Sequence, residues 1–119
     1  MFNFEKLDVY QEGIKFAEEI YRITKKFPAD ERFGLVDQLK RAAVSISANI
    51  AEGSARSKKD FIHFLNISRS SAYECIPLSR ISFSQGYISE EEYKEFYNQI
   101  EKVSAMLSGL INSLKKTLQ

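Results

Sequence analysis

Two side chains in this sequence could take part in proton or thiol chemistry, His63 and Cys75, and each is the sole member of its type in 119 residues. A metal centre needs several nitrogen, sulfur or carboxylate ligands brought together, and a di-iron bundle needs paired Glu-x-x-His segments, so neither is expected. His63 stands among Phe61, Ile62 and Phe64 just after a helix start. A surface or partly packed ring is the simpler reading there than a general base. Cys75 reads as a small buried apolar residue. It cannot close an intramolecular disulfide, no apolar secretory stretch follows Met1, and a reducing cytoplasm is the expected compartment. The serines stand in no Gly-x-Ser-x-Gly context, and the glycines form neither a Walker-type loop nor a dinucleotide fingerprint. Glu90, Glu91 and Glu92 resemble a ligand cluster but are what the dipole of a first helical turn attracts. No enzyme activity, metal or cofactor is therefore expected.

What remains is the scaffold that would position any binding residues. Composition is ordinary for a globular chain, with 44% hydrophobic and 28% charged residues, and the length allows one core. A single domain over residues 1–119 is expected, and no apolar run approaches the ~20 residues of a membrane span. Four helical stretches can be read. From Leu7 to Phe27 the apolar residues form two seams at 3/4 spacing, one of Leu7, Tyr10, Ile14, Ala17 and Tyr21, the other of Val9, Phe16, Ile20, Ile23 and Phe27. Pro28 stops this helix. Asp30 is a plausible N-cap for a second helix reaching about Ala51, with Gly53 as its stop. Its segment Ala42–Ala51 carries no charge and is built from small and β-branched residues with one asparagine, which reads as a buried helix. Ser57 and Asp60 open a third helix that runs to Gln85 and closes at Gly86, with a kink, or a break into two shorter helices, near Pro77. Ser89 and Glu92 make a capping box for the fourth, with Ile88 and Tyr93 at the positions of a hydrophobic staple and a long apolar stripe from Tyr93 to Leu118. Short connections make sequential helices antiparallel, so the fold class is all-α, an up-down-up-down four-helix bundle.

Two features of this scaffold bear on partners. The seams of the first helix fill an arc of roughly 200° at about 100° per residue, wider than one core requires. Sister subunits are expected to shield the excess, with Val9, Phe16, Ile20 and Ile23 as interface residues. Asn49 and Glu52 have two readings: a hydrogen bond across the bundle or subunit interface plus closure of the helix end, or part of a partner-binding surface. The second feature is charge. Lysine and arginine number 17 against 16 acidic residues, a net charge of +1 that gives no global attraction to nucleic acid. Up-down topology nevertheless gathers Lys6, Arg56, Lys58, Lys59, Lys115 and Lys116 at one end against Glu5, Glu52 and Asp60, six cations to three carboxylates or +3 locally. Such a rim could hold RNA or DNA phosphates without reading sequence, or it is a solvated helix end whose lysines complement C-terminal dipoles.

The string Arg41-Ala42-Ala43-Val44-Ser45-Ile46-Ser47-Ala48-Asn49-Ile50-Ala51-Glu52-Gly53 resembles the signature of the four-helix-bundle family named after proteins encoded in 23S ribosomal RNA intervening sequences, also called the S23 ribosomal protein family. Lys6 through Gln11, Phe61 through Glu74, Gly86-Tyr87-Ile88-Ser89 and Ser108-Gly109-Leu110-Ile111 extend the likeness over essentially the whole chain. The resemblance implies a bacterial bundle that forms a ring, a pentamer, without a known catalytic role. It also implies kinship with the accessory variability determinants of diversity-generating retroelements, similar pentamers that bind a reverse transcriptase and nucleic acid.

Overall fold

The computed structural model describes residues 2–118. A short 3-10 helix, Asn3–Lys6, leads into four α-helices: α1, Asp8–Thr24; α2, Leu35–Ser54; α3, Lys58–Ser84; and α4, Glu90–Thr117. A second 3-10 turn, Ala29–Glu31, lies between α1 and α2. The helix ends follow local chemistry. α1 stops four residues short of Pro28, and the Thr24 hydroxyl donates to the Ile20 carbonyl at 2.7 Å. α2 begins later than the expected Asp30 cap. Asp30 belongs to the 3-10 turn, Gly34 interrupts the path with φ −107° and ψ −111°, and it is the Glu31 carboxylate that accepts from the Leu35 N–H at 3.2 Å.

Gly53 is not a stop, contrary to expectation: α2 continues through it to Ser54. It is buried because α3 crosses there. A Cβ built on Gly53 would lie 2.6 Å from the Phe64 Cβ and 3.0 Å from a ring carbon of Phe61. The third helix starts as expected, with the Ser57 hydroxyl accepting from the Asp60 N–H at 3.2 Å. It runs as one α-helix through Pro77, which is exposed, so a division into two helices does not occur. At its end Gly86 adopts φ +79°, a conformation that costs other residues more. Gly86 N–H donates to the Phe83 carbonyl and Tyr87 N–H to the Ser82 carbonyl, both at 2.9 Å, closing the helix with a paired cap. The capping box of α4 is complete, with Ser89 N–H on Glu92 at 2.8 Å and Glu92 N–H on the Ser89 hydroxyl at 3.1 Å.

Each helix packs on its neighbours in chain order and α4 returns to α1, with no close backbone approach between diagonal helices among the described residues, which is the up-down bundle. The molecule measures 49 × 22 × 21 Å. Its core is one cluster, with Phe16, Ile20, Ile46, Ile50, Leu65, Ile100, Leu107 and Ile111 sealed from solvent. Each such side chain contributes about 1.5–3 kcal/mol by leaving water. Small residues set the spacing of the helices. Besides Gly53, the buried Ala43 and Ala72 keep the α2–α3 seam thin, the Ser68 hydroxyl donates to the Ile46 carbonyl at 2.7 Å, and the hydroxyls of Ser45 and Ser71 meet at 2.8 Å. Between α1 and α2, a Cβ on Gly13 would come within 2.5 Å of the Ser47 hydroxyl.

Candidate functional site

The four residues of α1 expected to face sister subunits do not. Val9, Phe16, Ile20 and Ile23 are each at most 4% exposed and belong to the chain's own core, where the Phe16 ring meets Phe96 of α4 edge to face at 6.0 Å. The physical reason lies in the two seams. Both have helical spacing, but this one carries two phenylalanines, two isoleucines and a valine, whereas the other mixes tyrosine and alanine with leucine and isoleucine. Burying the larger apolar surface gains more, and a tyrosine hydroxyl tolerates water. Asn49 also departs from expectation. Its amide donates to the Ser45 carbonyl and hydroxyl of its own helix, both at 2.8 Å, and not across the bundle, while the residue lines the open flank of α2 beside Val44 and Ala48. Glu52 is exposed and pairs with Arg56 one turn on at 3.6 Å.

The seam left over lies along the flank shared by α1 and α2. Phe4, Tyr10, Ile14 and Ala17 line a groove there with Val44, Ser47, Ala48 and Ala51 of the uncharged stretch of α2, whose Ala43, Ile46 and Ile50 belong to the core. The Phe4 and Tyr10 rings meet edge to face at 5.1 Å. Further along, Tyr21 is 46% and Val44 44% exposed, and the Lys40 ammonium lies 4.6 Å from the Tyr21 ring centroid. Basic side chains border this part, Arg22 from α1, Lys25 just past its end, and Lys40 and Arg41 from α2, with Glu18 and Asp37 as carboxylates; Arg22 pairs with Glu19 at 2.6 Å and Arg41 with Asp37 at 2.9 Å.

A second apolar flank, not anticipated from the sequence, lies on the opposite side between α3 and α4. Tyr73, 52% exposed, and Tyr97, 40% exposed, stand with Ile76 and Ala105 over a groove floored by Ile100 and Ser104. Toward the end of α3, the Phe83 and Tyr93 rings stack at 5.3 Å with the Arg80 guanidinium over both. Tyr97 and Tyr73 are aromatic residues at positions the helical stripes assign to water, and that mismatch is the signal available in the sequence. Arg69, half-buried beside the groove, donates to Ser108 at 2.9 Å and to Asn66 at 2.8 Å.

The basic end is assembled in part by direct contact. The Lys58 ammonium donates to the Thr117 hydroxyl at 3.1 Å, which sets the start of α3 against the end of α4 and its exposed Lys115 and Lys116. Lys59 is exposed in the first turn of α3, and Lys6 is exposed on the 3-10 helix that packs against α1 and α2. Arg56 is partly engaged, by Glu52 and by the Phe64 ring 5.0 Å away. Of the two candidate reactive groups, His63 lies one turn from Lys59 at this end of α3 and Cys75 lies in the core. His63 is exposed, with its ring against Phe64 at 5.8 Å. Cys75 is fully sealed, and burial pushes its thiol up to about 12, far from the reactive thiolate form. Among the described residues no group of three or more His, Cys, Asp and Glu is placed to hold a metal ion, and no helix is long and apolar enough to cross a membrane.

The family model described as 23S rRNA-intervening sequence protein matches residues 5–109. Among solved structures, the crystal structure of a protein with unknown function from the S23 ribosomal protein family of Bacteroides thetaiotaomicron is similar, with a TM-score of 0.80 and 28% identity over 87% of this chain and 95% of that one. No curated protein matches the chain.

Proposed function

The chain belongs to the 23S rRNA-intervening sequence protein family, and from that premise we propose that it is a non-enzymatic homo-oligomer, a ring of five copies, that serves in the cytoplasm as an interaction or scaffold module. The observation that carries this reading is the flank of α1 and α2, where Tyr10, Ile14, Ala17, Tyr21 and Val44 form a continuous apolar strip that the chain's other two helices do not cover. A strip of this kind, bordered by charged residues, marks a surface for protein contact. The number of copies comes from the family likeness. Light scattering on purified protein across micromolar concentrations tests the reading. A single assembled mass several times that of the 13.7 kDa chain supports it, and a clean monomer overturns it.

The second reading is a nucleic-acid-binding accessory protein that uses the lysine-rich end. It is favoured by the Lys58–Thr117 contact, which brings two lysine-bearing helix ends together. In a ring the cluster repeats around one rim, and the logarithm of its affinity for RNA or DNA would fall linearly with log salt. A titration of single-stranded RNA at several salt concentrations separates the readings, because negligible binding at low salt removes this one. An unidentified protein partner is compatible with either reading, and copurification from the native host would reveal it.

A further inference from the structure

The cations of the lysine-rich end divide by their place in the fold. Lys115 and Lys116 stand in the last turn of α4, where the helix dipole attracts them. Lys58 and Lys59 open α3, where the same dipole repels a cation, so local helix stability does not account for them. Among the described residues neither of the two lies within ion-pair distance of a carboxylate. Beside them two planar groups meet one ring. Phe64 is held where α3 presses on Gly53 of α2. The Arg56 guanidinium lies over the Phe64 ring, 5.0 Å from its centroid, although it also reaches Glu52 at 3.6 Å. The His63 ring meets Phe64 edge to face, at 5.8 Å and 74°. That geometry leaves at least one face of the imidazole uncovered by Phe64, and His63 is exposed one turn from Lys59.

We infer that this end takes a single-stranded nucleic acid in preference to a duplex, with a base stacked on His63 and the neighbouring phosphates on Lys58 and Lys59. The inference rests on the nucleic-acid reading of the lysine-rich end and adds the form of the ligand and the residue that selects it. Charge alone does not select. Lysines neutralise the phosphates of either form, and a duplex offers more of them per unit length. Base faces do select, because in a duplex they are stacked on one another, whereas in a single strand each is open to an aromatic ring or a guanidinium plane. Arg56 supplies the second such plane, and the Phe64 ring between them orders both.

The test measures fluorescence anisotropy of a labelled single-stranded RNA without self-complementarity, and of a duplex of the same length, with the full-length protein at low salt. Wild type is expected to bind the single strand about tenfold more tightly than the duplex. His63→Ala is expected to weaken the single strand by about that factor and to leave the duplex unchanged. His63→Tyr is expected to keep the wild-type preference, whereas His63→Lys, which supplies charge without a ring, is not. Lys58→Ala combined with Lys59→Ala is expected to weaken both ligands and to flatten the dependence of log affinity on log salt. A single-stranded DNA of the same sequence is expected to follow the RNA, since neither contact uses the ribose hydroxyl. Unchanged helical circular dichroism and thermal midpoint establish that each variant is folded, and His63→Gln replaces His63→Ala should the latter fail that check. Equal affinity for the two forms, an equal loss of both in His63→Ala, a preference kept by His63→Lys, or DNA bound only as weakly as the duplex overturns the inference while the nucleic-acid reading stands. Negligible binding of every ligand at low salt overturns both.

Discussion

Residues with a helical role in the sequence acquire a second meaning only when the partner across the seam is known, and Gly53 illustrates this. In a helix of small residues a glycine near the end reads as a stop, yet here it is a point where α3 presses against α2. The two roles make opposite predictions for Gly53→Ala. Were Gly53 only a weak helix former, alanine would stabilise by about 1 kcal/mol. With the Phe64 Cβ only 2.6 Å from the new methyl group, overpacking prevails and the variant is expected to lose about 1–3 kcal/mol, read as a lower midpoint in urea. Ser68→Ala belongs to the same seam. It removes a buried donor from the Ile46 carbonyl, and a loss of about 1 kcal/mol is expected in the same measurement.

Helix ends are where the sequence speaks most directly, because a cap is satisfied by residues three or four positions away. The Ser57 and Ser89 caps and the Gly86 closure stand where the sequence places them. Glu92 does more than cap. Its carboxylate also receives the Lys26 ammonium of the α1 end at 2.7 Å, joining α4 to α1. Burial pushes the Glu92 carboxyl up, but the hydrogen bonds from Lys26 and Ser89 outweigh it and hold the group below its ordinary value. A carboxyl lowered by folding adds stability above the unfolded-state value, and that contribution is lost as pH falls through the folded-state value. Glu92→Gln is therefore expected to be less stable than wild type at about pH 7, with the difference shrinking toward about pH 3, as denaturation at the two pH values would show. The start of α2 was less legible. By residue type Asp30 is the cap and Glu31 a first-turn acid, but the Ala29–Glu31 turn and Gly34 delay the helix until Leu35, and there it is Glu31 that accepts from the first N–H.

For the whole molecule the outcome turns on which surfaces remain after the bundle closes. If the proposed assembly holds, thermal unfolding is expected to shift to higher temperature as protein concentration rises, because association stabilises the folded chain by mass action. A midpoint independent of concentration over a hundredfold range would contradict it. The sequence by itself determined that there are four helices, their order and most of their ends, since periodicity, proline and capping residues act within a few positions along the chain. It also determined that α1 carries more apolar surface than a two-sided contact consumes. It did not determine which of the two seams faces inward, because Phe16 and Ile14 obey the same helical spacing. That choice was made by the neighbours: Gly13 lets α1 settle against Ser47 of α2, Phe96 of α4 receives Phe16, and the seam of Tyr10, Ile14 and Tyr21 is turned to the outside. The groove between Tyr73 and Tyr97 was likewise decided by packing, since residues 24 positions apart share a surface only once α3 and α4 lie side by side.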